Sequence, residues 1–283
     1  MIFQGQNLAF EMSIAIPMFI SWIILMAVSF YFIFKGKLSK KVSIGLYLIS
    51  IILGGIILGA VPNAVMPIQQ IFDSLGSAIP MNLILPMLII LALLLLTTIF
   101  IGRIFCGFAC PVGALEELIS KINFKSSLKE QKNIKYKIDV SQRTTNIIRW
   151  AFFGIILILA LVWSISLLQI INPFLGFSFI KNPAAVALTI PLVVLIGVSI
   201  ASIFLYRPWC RFLCPFGAIA SLTSRFSQYK YVRTEDCNNC GLCEKICPTK
   251  EAYQDSKKAE CYFCGRCVEI CPQNAIILKR KEK

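Results

Sequence analysis

Five stretches of this chain, residues 14–34, 42–61, 81–101, 150–171 and 184–206, carry no charged side chain. Each is long enough to cross a hydrocarbon core of about 30 Å as a helix, so each is expected to span a membrane. The composition agrees: 57% of residues are hydrophobic and only 15% charged, with a mean hydropathy of +0.76, outside the range of soluble globular domains. The chain therefore reads as mostly α, a polytopic membrane protein of five transmembrane helices. Its first helix is expected to stay in the mature chain, because Glu11 precedes it and neither a basic leading region nor a small-residue cleavage site accompanies it.

The net charge of +14 would suggest nucleic acid in a soluble protein, but its distribution points elsewhere. Lys35, Lys37, Lys40 and Lys41 fill the first loop, residues 103–149 hold nine basic side chains and residues 207–283 hold fourteen, which leaves Lys181 alone on the other side. Basic residues gather on cytoplasmic segments, so these alternate segments are assigned to the cytoplasm and the N-terminus to the outside of the cell membrane. The surroundings expected are membrane lipid and no nucleic acid. The resulting division is an exterior arm over 1–13, a membrane domain over 14–230, and a polar C-terminal domain over 231–283.

The membrane part contains a repeat. Arg103-Ile-Phe-Cys-Gly-Phe-Ala-Cys-Pro-Val-Gly-Ala114 aligns without a gap with Arg207-Pro-Trp-Cys-Arg-Phe-Leu-Cys-Pro-Phe-Gly-Ala218, identical at seven of twelve positions. Each copy follows a helix, exterior loop, helix unit of the same direction. The expectation is an internal parallel repeat about an axis along the membrane normal, with the first helix outside it. After the first copy, Leu115, Leu118, Ile119 and Ile122 recur at helical spacing opposite Glu116, Glu117 and Lys121. That pattern suits a short helix on the inner membrane surface or an ordinary loop helix.

Sulfur is the one strong soft ligand available, since the chain has 12 Cys and no His, which removes His-ligated haem and mixed Cys/His zinc sites. Cys237-x2-Cys240-x2-Cys243-x3-Cys247-Pro248 and Cys261-x2-Cys264-x2-Cys267-x3-Cys271-Pro272 have the spacing of bacterial ferredoxins, in which the fourth Cys of each run ligates the other cluster. Cluster one is then assigned Cys237, Cys240, Cys243 and Cys271, and cluster two Cys261, Cys264, Cys267 and Cys247. Gly241 and Gly265 are expected to let backbone approach the clusters. The tail therefore reads as a cytoplasmic α+β domain of the bacterial 2[4Fe–4S] ferredoxin type, too small for an apolar core and stabilised by its metal.

Cys106-x3-Cys110-Pro111 and Cys210-x3-Cys214-Pro215 are less ordinary. Proline is favoured at the first helical position, which places Cys110 and Cys214 at helix N-termini, where the dipole favours a thiolate. Cys106, Cys110, Cys210 and Cys214 are expected to hold a third iron–sulfur centre at the cytoplasmic edge of the membrane. A structural zinc, a thiol/disulfide relay and plain helix caps are the alternatives. Arg103 and Arg207, at equal positions before the two pairs, read as interfacial anchors or as charges that tune the cofactor. Phe105 and Trp209 read as interfacial packing.

Paired CxxxCP motifs after membrane helices, followed by a double-cluster tail, resemble the NapH/NosR-type membrane ferredoxins over roughly residue 42 to the end. The resemblance implies electron exchange between quinol or a cytoplasmic donor, such as a ferredoxin, and an extracytoplasmic acceptor. Two departures are visible: five spans instead of the four usual for the NapH type, and no extracytoplasmic flavin domain of the NosR type. A flavin would then be carried by a partner, such as an FMN-binding protein. The chain thus reads as a redox subunit of an oxidoreductase complex, a quinol dehydrogenase component being one form of it, and not as a complete enzyme with catalytic residues of its own. The exterior loops carry Asp73 and Lys181 and no ligand set, so a quinone or a partner-bound cofactor must complete any path outward; Pro67 and Pro173 are expected to shape re-entrant turns there. A redox sensor or assembly protein is the alternative, and a transporter is disfavoured because the spans lack ionisable residues.

Overall fold

The structure, a computed structural model, describes residues 8–59, 63–75, 81–122, 140–163 and 166–280. Most of them are helical. Helix α1 runs over Leu8–Phe34. Helix α2 (Lys40–Ser50) continues as a π-helical turn over Ile51–Ile57. Then follow α3 (Val65–Leu75), α4 (Met81–Ile101) and, after the first cysteine pair, α5 (Pro111–Ile122). The second half repeats this sequence of elements with α6 (Gln142–Trp163), the short α7 (Leu167–Ile171) and α8 (Pro173–Ser178), α9 (Thr189–Phe204) and α10 (Pro215–Thr223).

Four stretches among the described residues are long and apolar enough to cross a membrane: Lys40–Ile57, Ile84–Ile101, Gln142–Trp163 and Val186–Phe204. Ile20–Phe34 of α1 is apolar over a shorter length. Their outer faces are greasy at helical spacing, with Ile89, Leu93, Leu96 and Phe100 exposed on α4 and Val193, Ile196, Ile200 and Ile203 on α9. Exposed apolar surface of that extent is stable against lipid and not against water.

Several boundaries differ from the sequence expectation. The exterior arm expected over 1–13 lies outside the described residues as far as residue 7, and from Leu8 the backbone is already helical. The helix expected over 150–171 begins at Gln142 and stops at Trp163. A charge-free window cut it short at one end, because Arg149 lies inside the helix and is paired. At the other end the chain breaks into α7 and α8, where the Asn172 side chain accepts from the Phe174 N–H and Pro173 takes the first helical position. The stretch expected over 42–61 ends its helix at Ile57, before Gly59 in a left-handed conformation.

The connections between the paired helices fold inward. Asn63 caps α3 by accepting from the N–H groups of Val65 and Met66, with Pro67 in the first turn, and Asn172 does the same for α8. Ala64, Val65 and Phe174 are buried.

The tail opens with β1 (Tyr229–Arg233) and closes with β2 (Ile276–Arg280), paired antiparallel with Tyr231 opposite Leu278. Between them lie two cysteine loops, each leading into one helical turn, α11 (Leu242–Ile246) and α12 (Arg266–Ile270). The loops are near copies: Asn239, Gly241 and Lys250 have positive φ, and so do Phe263, Gly265 and Asn274 at the same places in the second loop. Glycine at 241 and 265 adopts that conformation without a steric penalty.

Candidate iron–sulfur centres

Both CxxxC segments are π-helical, Phe105–Ala109 and Trp209–Leu213, a local form that clusters at functional sites. Cys110 and Cys214 then turn to extended backbone, and each starts a helix with proline. The sulfur of Cys110 accepts from the Gly113 N–H and that of Cys214 from the Gly217 N–H, both at 3.4 Å. Glycine is required there by space: a Cβ at Gly113 would lie 2.4 Å from the Cys106 carbonyl oxygen, and one at Gly217 2.7 Å from that of Cys210. The tail repeats the device, the Glu251 N–H donating to Cys247 Sγ and the Ala275 N–H to Cys271 Sγ at 3.3 Å.

The cysteines fall into three groups, each lining a cavity of its own. Cys106, Cys110, Cys210 and Cys214, the inner quartet, line one small cavity of about 10 Å³ with Arg103, Phe105, Trp209 and Phe216, closed by Ala64 and Phe174 of the infolded connections. Cys247, Cys261, Cys264 and Cys267, the proximal quartet, line a cavity of about 310 Å³ that opens toward solvent. Cys237, Cys240, Cys243 and Cys271, the distal quartet, line one of about 10 Å³. The inner cysteines are all buried and the proximal ones half-buried, while the distal group is mixed, with Cys240 exposed, Cys237 and Cys271 half-buried and Cys243 buried.

Among the described residues no three side chains of ligand type converge as they would on a single metal ion. Four cysteines to a cavity match the all-thiolate ligand set of a cubane. The inner cavity also carries donors with nothing to donate to: Trp209 Nε1 and Arg103 Nε are buried without a hydrogen-bond partner. Burial pushes the Cys110 and Cys210 thiols well up and that of Cys214 up to about 12. Thiols in such a cavity ionise when a cation binds them. The residues fit a polynuclear iron–sulfur group.

The two arginines are placed otherwise than as surface anchors. Arg103 and Arg207 are fully buried and ion-paired, Arg103 to Glu260 of the tail and Arg207 Nε to Glu117 Oε2 at 2.8 Å. Helix α5 is a surface helix in neither of the two expected forms: Glu116 and Glu117 are fully buried and Lys121 nearly so, with Glu116 against the second cysteine motif and Glu117 against Arg207 and against Arg266 of the tail. Glu117 also accepts from Arg266 and from the Tyr206 hydroxyl, both at 2.7 Å. Burial alone would raise its carboxyl, but Arg266 and Arg207 hold it below the usual range. Glu260 is held down against burial in the same way by Arg103 and Arg149. Glu116 accepts from the Trp209 N–H at 2.7 Å and the Cys210 N–H at 3.3 Å, and burial pushes it up to about 7. Phe105 and Trp209 are core residues, Phe105 meeting Phe216 edge-on at 5.8 Å.

Comparison with known proteins follows the same division. Residues 83–129 and 187–232 match one family described as a 4Fe-4S binding domain, and residues 230–250 and 258–277 match a second family of that description. The matched stretches contain all 12 cysteines. The chain is 31% identical over 58% of its length to YccM of Escherichia coli, named as an electron transport protein, and matches 46% of that protein. It is 30% identical over 52% of its length to the methylamine utilization ferredoxin-type protein MauN of Paracoccus denitrificans, matching 48% of it. To the regulatory protein NosR of Stutzerimonas stutzeri it is 28% identical over 54% of its length, matching 21% of it. The resemblance to NosR-type membrane ferredoxins is thus found across the 4Fe-4S domains, and the chain spans about half the length, or less, of these relatives. No solved structure matches.

Proposed function

We propose that this chain is a membrane-bound electron-transfer subunit, passing electrons through iron–sulfur centres between a cytoplasmic donor or the quinone pool and an extracytoplasmic flavin-bearing or other redox partner. In this reading five helices span the membrane, the N-terminus lies outside, and the tail lies in the cytoplasm. The distal and proximal quartets each hold a [4Fe–4S] cluster with crossed ligation by Cys271 and Cys247, and the inner quartet holds a third. The observation that carries it is the grouping of 12 cysteines into three cavities of four, the inner one lined by buried cysteines alone.

When bound, such clusters supply one-electron carriers. The protein's own residues bury them, exclude water and balance their charge. Amides and glycines at the CP turns direct N–H groups at sulfur. Between the inner and proximal quartets Arg103, Arg149, Arg207 and Arg266 face Glu117 and Glu260, with Glu116 against the Cys210 N–H. Arg103, which lines the inner cavity itself, places a cation where a thiolate-ligated cluster, an anion, would sit. A sensing role is the second reading, favoured by the regulatory name of the NosR relatives.

Iron and acid-labile sulfide counted on anaerobically purified protein test the proposal, with EPR to type the clusters. About twelve iron per chain is expected; about eight leaves the tail clusters alone, and iron-free protein overturns the reading. Stepwise reduction then separates conduction from sensing, since a conducting chain passes electrons from the tail centres to the inner one.

A further inference from the structure

The junction between tail and membrane domain is built with more buried charge than a tethered ferredoxin needs. Tyr262, between ligand candidates Cys261 and Cys264, is buried with its ring clamped between two guanidinium groups, 4.4 Å from that of Arg103 and 4.3 Å from that of Arg207. Those arginines belong to the two halves of the repeat. Arg207 in turn donates to the Cys106 carbonyl at 2.8 Å, so a short run of contacts joins a proximal cysteine to an inner one through Tyr262 and Arg207.

Around this ring the ion pairs cross the junction in both directions. Glu260 of the tail takes Arg103 and Arg149 of the membrane domain, while Glu117 of the membrane domain takes Arg266 of the tail along with its own Arg207. Backbone closes in at glycines. A Cβ at Gly107 would lie 2.3 Å from the Tyr262 carbonyl oxygen, one at Gly102 2.7 Å from the Phe263 ring, and one at Gly265 2.8 Å from the Leu38 side chain.

We infer that Tyr262 is a positioning residue: with its arginine clamp it locks the tail onto the membrane domain and fixes the proximal quartet against the inner one. The electron-transfer role of the lock rests on the function proposed above; the lock itself stands on side chains. Clusters held by the proximal and inner quartets would exchange one electron, one losing what the other gains, and Tyr262 would be neither oxidised nor reduced. A consequence is that the tail does not swing out to meet donors. Soluble partners meet the distal quartet, where Cys240 is exposed.

The test uses the full chain in detergent, with amide hydrogen exchange over residues 102–110 and EPR of the reduced protein. Wild type and Tyr262→Phe, which keeps the ring, are expected to protect these amides and to show magnetic coupling between a tail centre and the inner one. Tyr262→Leu and Glu260→Gln should speed exchange there by about tenfold or more and abolish the coupling, with iron content unchanged. Unchanged protection and coupling in both variants overturn the inference, and so does a wild type whose 102–110 amides exchange as fast as those of exposed turns, an arm that holds even if the variants misfold. A wild type with iron in the tail only would defeat the three-centre reading while leaving the exchange arm to decide the lock.

Discussion

The inner and distal quartets line cavities of similar size, about 10 Å³ each, but within different walls. Packed aromatics surround the inner one, with Tyr47 stacked on Phe108 at 5.0 Å and Trp22 edge-on to Phe105 at 6.1 Å. Its ion pairs are fully buried, whereas the Arg233–Glu244 pair beside the distal quartet keeps 14% and 26% of its side-chain exposure. The distal loop is one helical turn and a strand pair with an exposed cysteine. Protein packing shapes the inner cavity before any metal arrives; at the tail the metal must supply what the core cannot.

Removing the iron is the harshest way to break that comparison. After chelation under reducing conditions, proteolysis and hydrogen exchange should show the distal loop, 235–250, unfolded, while α4, α6 and α9 keep their protection. Binding energies of structural metal in small domains are on the order of 10 kcal/mol, more than such a domain's own stability. A metal-free tail that stayed protected would show that its packing suffices without metal.

The next effect separates the two kinds of ion pair. Glu117→Ala leaves Arg207 and Arg266 buried without their carboxylate, which should cost about 3–5 kcal/mol, read as a lowered denaturation midpoint of the membrane domain in detergent. Glu244→Ala removes the partner of Arg233 where water can replace it, and should cost about 1 kcal/mol or less. Equal losses would mean that burial does not distinguish the two regions.

What sequence revealed and what it hid divide along the same line. Cysteine spacing is a covalent constraint on loop length, so the three quartets could be written down from the chain alone. Four of the five charge-free runs overlap helices long enough to span, because lipid penalises charge, and the run at 150–171 misplaced the start of its helix because Arg149 is paired inside it. The charges at the junction were legible only as residues on a face. Glu116, Glu117 and Lys121 form the polar side of α5 whether that side meets head groups or another domain, and nothing local tells the cases apart. Arg149, Tyr206, Glu260, Tyr262 and Arg266 were missed for the same reason, since each gains its role from a partner roughly 55 to 159 positions away. One signal was available: Arg103 and Arg207 recur at the same place in both copies of the repeat. Single interfacial anchors have no need of such a match.

The smallest expected effect asks whether the inner walls merely enclose the cavity or also tune what it holds. Trp209 lines that cavity, is buried, and its Nε1–H has no partner. A buried donor left unpaired costs about 1–3 kcal/mol, so its persistence calls for an acceptor, and a cluster sulfur is the one the cavity would offer. Hydrogen bonds to sulfur stabilise the more negative, reduced state and raise the potential. Trp209→Phe should therefore lower the inner centre's midpoint in an EPR-monitored titration, leaving the tail centres where they are. One hydrogen bond of about 1 kcal/mol corresponds to about 40 mV for a one-electron couple. An unmoved midpoint, with iron retained, would make Trp209 a packing residue and its indole N–H a cost that the site bears without return.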